Sequence, residues 1–330
     1  MRKATYYLAI IVFVSLLISC EENFSPKGEL QNKYSINFIL RGDTTFQTAY
    51  LSKAYDVQGF DPQTLTTDPA VDGAVISLKY SDSPKLYYLR DTVDNGNINT
   101  RYNTPAKYYY IKNFKPVYGK QIELNVQLPD GSKLSSITNM PEGIYFDEAK
   151  TIPYLPGPFV GNDTVYINVV WKNSNSNTGK SVRAYLNYYH KELNGDTLAF
   201  IKKVPVDMGV LGNDTSYVFS KNVFENQVKI PRKLLDKALR QISEGDAKKG
   251  RYLIGSLNVE VMILDDNLSK YVSSEQFFNY GFTVRNFPAD FTDITGGNGF
   301  FGSYSYTKRV IQFDPKYLLN TYGYLAYQKY

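Results

Sequence analysis

Cys20 and His190 are each the only residue of their type in a chain of 330 residues, and together they bound the chemistry open to it. A Ser-His-Asp relay would have to pass through His190, which closes an expected strand in Tyr188-Tyr189-His190-Lys191, and no Gly-x-Ser-x-Gly turn accompanies it. A zinc site needs more Cys and His ligands than this sequence holds. His190 is therefore expected to be an exposed strand residue. The carboxylate pairs Asp147/Glu148 and Asp265/Asp266 have the residue type a glycosidase uses. Sequence neighbours on a strand or turn point apart rather than across a cleft, so solvated turn acids are expected. Asp91 to Asn99 has a faint calcium-loop spacing, but Val93 stands at a ligand position and no Glu closes the loop, so a turn at Asn95-Gly96 is expected. The run Gly296-Gly297-Asn298-Gly299 could cradle a phosphate. It lacks the lysine and the following helix of such loops. It is expected instead to be a tight loop, 294–302, that re-enters a strand, with Gly296, Gly297, Gly299 and Gly302 as structural glycines. No catalytic residue, metal or cofactor is expected.

The chemistry that suits Cys20 is acylation. Arg2 and Lys3 precede an apolar run from Leu8 to Ile18, broken only by Ser15. The run is short for a membrane span, which takes about 20 apolar residues. Leu17-Ile18-Ser19-Cys20 resembles the lipobox of bacterial lipoproteins, in which the thiol is lipidated and the chain is cut just before it. On that resemblance residues 1–19 are a signal peptide, Cys20 carries the lipid (palmitate among its acyl chains), and 20–33 form a flexible tether containing Pro26 and Gly28. An ordinary secretory signal or an N-terminal anchor is the alternative. With Cys20 acylated, no thiol remains for a disulfide, thiolate catalysis or metal binding, so a packed core must hold the fold. The formal net charge of +5 loses two with Arg2 and Lys3, which implies neither nucleic acid nor an acidic substrate.

Thirty Tyr and 19 Phe against one Trp favour strands, because aromatic side chains suit a pleated, half-buried surface. The chain is expected to be all-β, with two β-sandwich-like domains. The first, 34–140, is expected to be immunoglobulin-like, because Val71-Asp72-Gly73-Ala74-Val75-Ile76-Ser77-Leu78 resembles the opening strand of carboxypeptidase-regulatory-like and other immunoglobulin-like modules. Ile122, Leu124, Val126 and Leu128 alternate with polar residues, and Pro129-Asp130-Gly131 then turns the chain. Further short strands are expected at Ile36 to Leu40, Val71 to Leu78, Leu86 to Leu89, Tyr108 to Ile111 and Ser132 to Thr138. Four prolines between Pro141 and Pro158 mark a connector over 141–163.

The second domain, 164–330, opens on Val165, Ile167, Val169 and Trp171, all on one face. Strands follow at Val182 to Tyr189, Thr197 to Ile201 and Leu253 to Leu264, with turns at Asn194-Gly195 and Asp265-Asp266-Asn267. A single helix insertion is expected after Pro231, where Leu234, Leu235, Ala238, Leu239 and Ile242 fall at helical spacing.

Ile294-Thr295-Gly296-Gly297-Asn298-Gly299-Phe300-Phe301-Gly302 resembles the Ile-x-Gly-Gly-x-Gly-x-Phe-Gly signature of a Bacteroidetes lipoprotein family catalogued as domain of unknown function 4249. The resemblance extends to the lipobox with Glu21, the Val71 to Val75 strand and Met140-Pro141. Asp293 stands where that family has Asn. The resemblance implies an accessory outer-membrane lipoprotein of the cell envelope, commonly encoded beside a TonB-dependent receptor, and it supplies no accepted activity or catalytic residues to carry over; with no catalytic constellation in the sequence, a non-enzymatic protein is expected. Glu21 and Glu22 resemble surface-export signals of such lipoproteins, which favours the surface over the periplasmic face.

Two aromatic segments could bind something. Lys107-Tyr108-Tyr109-Tyr110-Ile111-Lys112, with Phe114, Lys115, Tyr118 and Lys120, interleaves bases and rings as single-strand nucleic-acid binders do, but export removes that ligand. Such aromatics could stack on sugars or a partner protein, or be ordinary sheet residues. Tyr317, Tyr322, Tyr324, Tyr327 and Tyr330 allow the same readings. Asp-Thr pairs at Asp43, Asp91, Asp163 and Asp196 resemble an O-glycosylation motif. The expected function is a lipid-anchored partner of a TonB-dependent receptor, or a binder of the glycan or peptide it imports. A transporter-independent adhesin is the alternative, and an envelope hydrolase a third.

Overall fold

A computed structural model describes residues 34–54, 64–98, 105–155, 166–172, 179–193, 195–211, 214–278 and 291–327. Cys20, the lipobox residues Leu17, Ile18 and Ser19, and the tether 20–33 lie outside them.

The chain is all-β. In the N-terminal half the strands are β1 (Tyr34–Arg41), β2 (Gln47–Lys53), β3 (Val75–Tyr80), β4 (Leu86–Tyr88), β5 (Arg90–Ile98), β6 (Pro105–Ile111), β7 (Gln121–Gln127) and β8 (Lys133–Asn139). Strict alternation decides the packing of β1 and β7: Ile36, Phe38 and Leu40 of β1 and Ile122, Leu124 and Val126 of β7 turn inward and are fully or almost fully buried. The sheet β4-β3-β7-β8 closes over β1, β2 and β6, and the two share one core, a sandwich. Pro129-Asp130-Gly131 makes the β7–β8 turn, with Gly131 at φ 86°. Asn95-Gly96 is not a turn. It lies inside β5, where the register against β6 slips between Asp94 and Ile98.

The second half supplies β9 (Tyr145–Phe146), β10 (Tyr154–Leu155), β11 (Tyr166–Lys172), β12 (Lys180–Lys191), β13 (Thr197–Val204), β14 (Asp207–Leu211), β15 (Asp214–Val218), β16 (Ser220–Val223), β17 (Gln227–Pro231), β18 (Tyr252–Leu264), β19 (Asn298–Phe313) and β20 (Leu325–Ala326). The connector expected over 141–163 thus contains β9 and β10, and the first core is complete before it, apart from Ile294 and Phe301.

One sheet runs through both halves in the order β13-β12-β18-β19-β1-β2-β6-β5. The joint is β19. Its first part pairs in parallel with β1, from Ser35↔Asn298 to Arg41↔Tyr304, and its second part pairs antiparallel with β18, from Leu264↔Tyr304 to Ser256↔Gln312. Phe301 accordingly belongs to the first core, and Ile311 and Phe313 to the second.

Three α-helices are present among the described residues, where one was expected. The helix α1 (Arg232–Ile242) matches the apolar stripe, and Leu235, Ala238, Leu239 and Ile242 enter the second core. The other two are α2 (Asp266–Phe278) and α3 (Pro315–Tyr322). Asp265 does not begin a hairpin. Its carboxylate accepts the Leu268 amide at 2.7 Å, an N-cap that starts α2. Asp314 does the same for Tyr317 at 2.9 Å, Pro315 follows at the first helical position, and Gly323 at φ 79° ends α3.

Candidate functional site

Residues that alternate with the buried ones place Asn37, Ile39 and Arg41 of β1, Thr48 and Tyr50 of β2, and Tyr108 and Tyr110 of β6 on the outer face of the continuous sheet. Between them and Phe300 of β19 lies a groove of about 450 Å³, walled by Ile39, Phe46, Tyr50, Tyr108 and Phe300 and edged by Asn37, Arg41 and Thr48. Its rings are fixed. Phe46 stacks on Tyr110 at 5.6 Å, Tyr110 meets Tyr108 edge-on at 6.4 Å, and Tyr271 of α2 stacks on Phe300 at 4.0 Å. The Tyr50 hydroxyl donates to Asp68 at 2.6 Å.

Arg41 connects the groove to a polar ridge. Its guanidinium donates to Asp43 at 3.2 and 3.0 Å and to the Tyr304 hydroxyl at 3.1 Å, while Tyr304 donates to Asp43 at 2.9 Å. Burial, then donation to Asp43, pushes the Tyr304 hydroxyl up to about 12. Burial alone would raise Asp43, but the hydrogen bonds from Arg41 and Tyr304 outweigh it and hold the carboxyl below its ordinary range.

Beyond Tyr304 lies a buried carboxylate. Glu260 of β18 accepts from Tyr306 at 2.6 Å, from Tyr185 at 2.9 Å and from the Arg183 guanidinium. Burial would again raise it, and the three donors outweigh burial and keep it ionised. Burial and donation to Glu260 lift Tyr185 to about 12 and Tyr306 further. A carboxylate locked by three donors is a poor proton carrier. Asp265 is shifted the other way, to about 6, mainly by burial. Thr138 donates to it, and it is sealed beneath β8 and β19 rather than aimed into a groove. Among the described residues the groove is lined by no carboxylate or histidine, and no cluster of three potential metal ligands occurs. The arrangement can stack planar or sugar rings and offer an amide and a hydroxyl beside them.

The glycine loop is a weld, not a cradle. Thr295 bridges to Ser135 of β8, and Gly296, at φ 86°, lies against the Lys133 carbonyl with no room for a side chain. A Cβ on Gly297 would lie 2.6 Å from the Tyr34 carbonyl oxygen and 2.7 Å from Leu134, and one on Gly302 would lie 2.9 Å from Leu268 Cβ. Asp293 gathers the surroundings: it accepts from Ser136 at 2.6 Å, Asn267 at 2.8 Å and the Phe301 amide at 3.0 Å.

The other expected sites fall apart in space. His190 is not an exposed strand residue. It is half-buried against the Tyr252 ring at 4.6 Å, with Nδ1 2.9 Å from Glu192. Glu148 pairs with Arg309 at 2.6 Å, and Asp147 is buried in a local turn, accepting the Ala149 amide. Asp265 is buried too, so neither it nor Asp147 is a solvated turn acid. The basic aromatic run divides: Tyr109 and Phe114 are core residues, Lys107 and Lys120 pair with Asp72 and Asp82, and Tyr108 and Tyr110 reach the outer face, with Lys112 over the Tyr110 ring at 5.5 Å. Tyr317, Tyr322 and Tyr324 are structural, Tyr324 donating to the Leu239 carbonyl at 2.6 Å and Tyr322 to Asp236 of α1. Phe46, Tyr50, Arg41 and Glu260 were not singled out from sequence. A lone Glu inside the apolar run from Leu257 to Leu264 is a signal for a buried, partnered carboxylate.

Comparison with family models, curated proteins and solved structures finds no match to this chain.

Proposed function

We propose that this chain is a non-enzymatic outer-membrane lipoprotein, anchored through Cys20, that serves as an accessory or ligand-binding partner of a TonB-dependent receptor. The lipobox and the glycine signature, through the family they resemble, support the receptor and the location, and the likeness of Val71 to Leu78 to the opening strand of immunoglobulin-like modules supports an immunoglobulin-like relation for 34–140. The observation that carries binding is the groove of about 450 Å³ formed by Phe46, Tyr50, Tyr108 and Phe300, whose lining provides rings and hydrogen-bonding groups. A sugar or peptide fits such a surface, and a surface adhesin using the same groove is the second reading. Purification of the tagged protein from detergent-solubilised outer membranes, with Cys20→Ala as the control, tests the proposal. Stoichiometric recovery of one TonB-dependent receptor supports it, and recovery of the lipoprotein alone removes a stable complex and favours the adhesin.

A further inference from the structure

The continuous sheet ends at β5 on one side and β13 on the other, and the two edges are treated differently. The β5 edge carries Arg90 and Asp91 and a register slip, the devices by which proteins deter strand addition. The β13 edge lacks them over its first five residues. From Thr197 to Val204 it pairs without a slip on β12, and among the described residues nothing pairs with its outer side. Leu198, Phe200 and Ile201 are 47, 41 and 67% exposed, and Leu193 of the adjoining turn is 83% exposed. Stacking of Phe200 on Tyr188 at 5.4 Å keeps the strand extended and presented.

The character changes at Lys202 and Lys203. With Lys237 of α1 they line a cleft of about 240 Å³ that also holds Tyr217 and Phe219. Lys237 donates to the Tyr217 hydroxyl at 2.5 Å and sits 4.2 Å above that ring. Among the described residues no carboxylate lies within ion-pair distance of Lys202, Lys203 or Lys237.

We propose that β13 is a docking edge for an extended segment of a partner protein, apolar along one half and acidic along the other. The segment adds as a further strand by backbone pairing. Its apolar half covers Leu198, Phe200 and Ile201, and its carboxylates meet Lys202, Lys203 and Lys237. A long, regular apolar edge is unfavourable in water unless covered, backbone pairing supplies affinity, and the lysines set the register and the sign of the partner. This site is separate from the outer-face groove and does not depend on the receptor reading.

The test uses a capped ten-residue peptide with Val and Thr in one half and Glu in the other, synthesised in both orders. Its controls are a Lys-for-Glu version and a version N-methylated at alternate residues. Binding by fluorescence anisotropy is read beside amide exchange of residues 197–204. The expected result is binding of the acidic peptide with protection of those amides, weakened about tenfold by Lys202→Glu/Lys203→Glu and by Ile201→Lys, with no binding of either control. Equal binding of the N-methylated peptide, absence of protection in β13, or no binding overturns the proposal. So does concentration-dependent self-association abolished by Ile201→Lys, which would make a second copy the occupant.

Discussion

Gly299 stands directly against the Ile36 carbonyl: with φ at 101°, any Cβ there would press into that oxygen and lie 2.9 Å from Ile36 N. This closeness lets β19 pair with β1 and so join the two halves in one sheet. Gly299→Ala is expected to destabilise the protein by about 3 kcal/mol or more, since the left-handed backbone alone costs about 1–2 kcal/mol and the clash adds to it. Gly131→Ala, at φ 86° but with open space around it, is expected to cost only about 1 kcal/mol. Urea unfolding of the two variants checks the contrast.

Asp265 gives stability an unusual pH slope. Its carboxyl holds its proton to about 6 in the fold, above its value in the unfolded chain. The folded state therefore binds the extra proton between about pH 4 and 6, and stability falls as pH rises through that window, by about 3 kcal/mol in all. Asp265→Asn keeps an acceptor for Leu268 and gains an amide for Thr138. It is expected to remove the slope and to be more stable than the parent at pH 7, as thermal melts across pH would show.

Glu260 works in the opposite sense. Held below its ordinary range, it contributes stability that is present above the unfolded pKa and is lost as pH falls through the folded value. Glu260→Ala leaves the Tyr185 and Tyr306 hydroxyls without their acceptor, at an expected cost of about 2 kcal/mol at pH 7. Arg183 adds little to that loss because its side chain is 47% exposed. Denaturant midpoints at pH 7 and pH 4 should converge for this variant relative to the parent.

The groove separates binding from stability. Phe46 is 38% exposed and Tyr108 half-buried, so Phe46→Ala/Tyr108→Ala is expected to cost about 1–2 kcal/mol of folding stability. A glycan or peptide that stacks there should bind at least about tenfold more weakly, as calorimetry on a ligand found by array screening would record.

Strands such as β1, β7, β8 and β11 were legible because their alternation is strict, and α1 because its apolar spacing is helical, whereas β2, β14 to β17 and most of β19 were not read from the sequence. The helix α2 was not, since Asp265-Asp266-Asn267 has the side chains of a turn as much as of a cap, and only Leu268, Tyr271 and Val272 hint at a stripe. Asp314-Pro315 and Gly323 are readable caps for α3, but the helix is only eight residues long and its tyrosines suit a strand equally well. The pairing of β1 with β19 joins residues more than 250 positions apart and leaves no local trace beyond the glycines that permit it. The groove draws Phe46 and Tyr50, Tyr108, and Phe300 from three segments far apart in the chain, so no local spacing in the sequence announces it.

The most direct measurement quantifies the receptor recovered with the tagged protein from outer membranes of its native host, for the parent and for Phe46→Ala/Tyr108→Ala at equal abundance. A binding partner working through the sheet groove should bring down one TonB-dependent receptor in stoichiometric amount, and the double variant should lose most of it. Equal recovery by both forms would move the contact away from the groove, and recovery of no receptor by the parent would contradict the account.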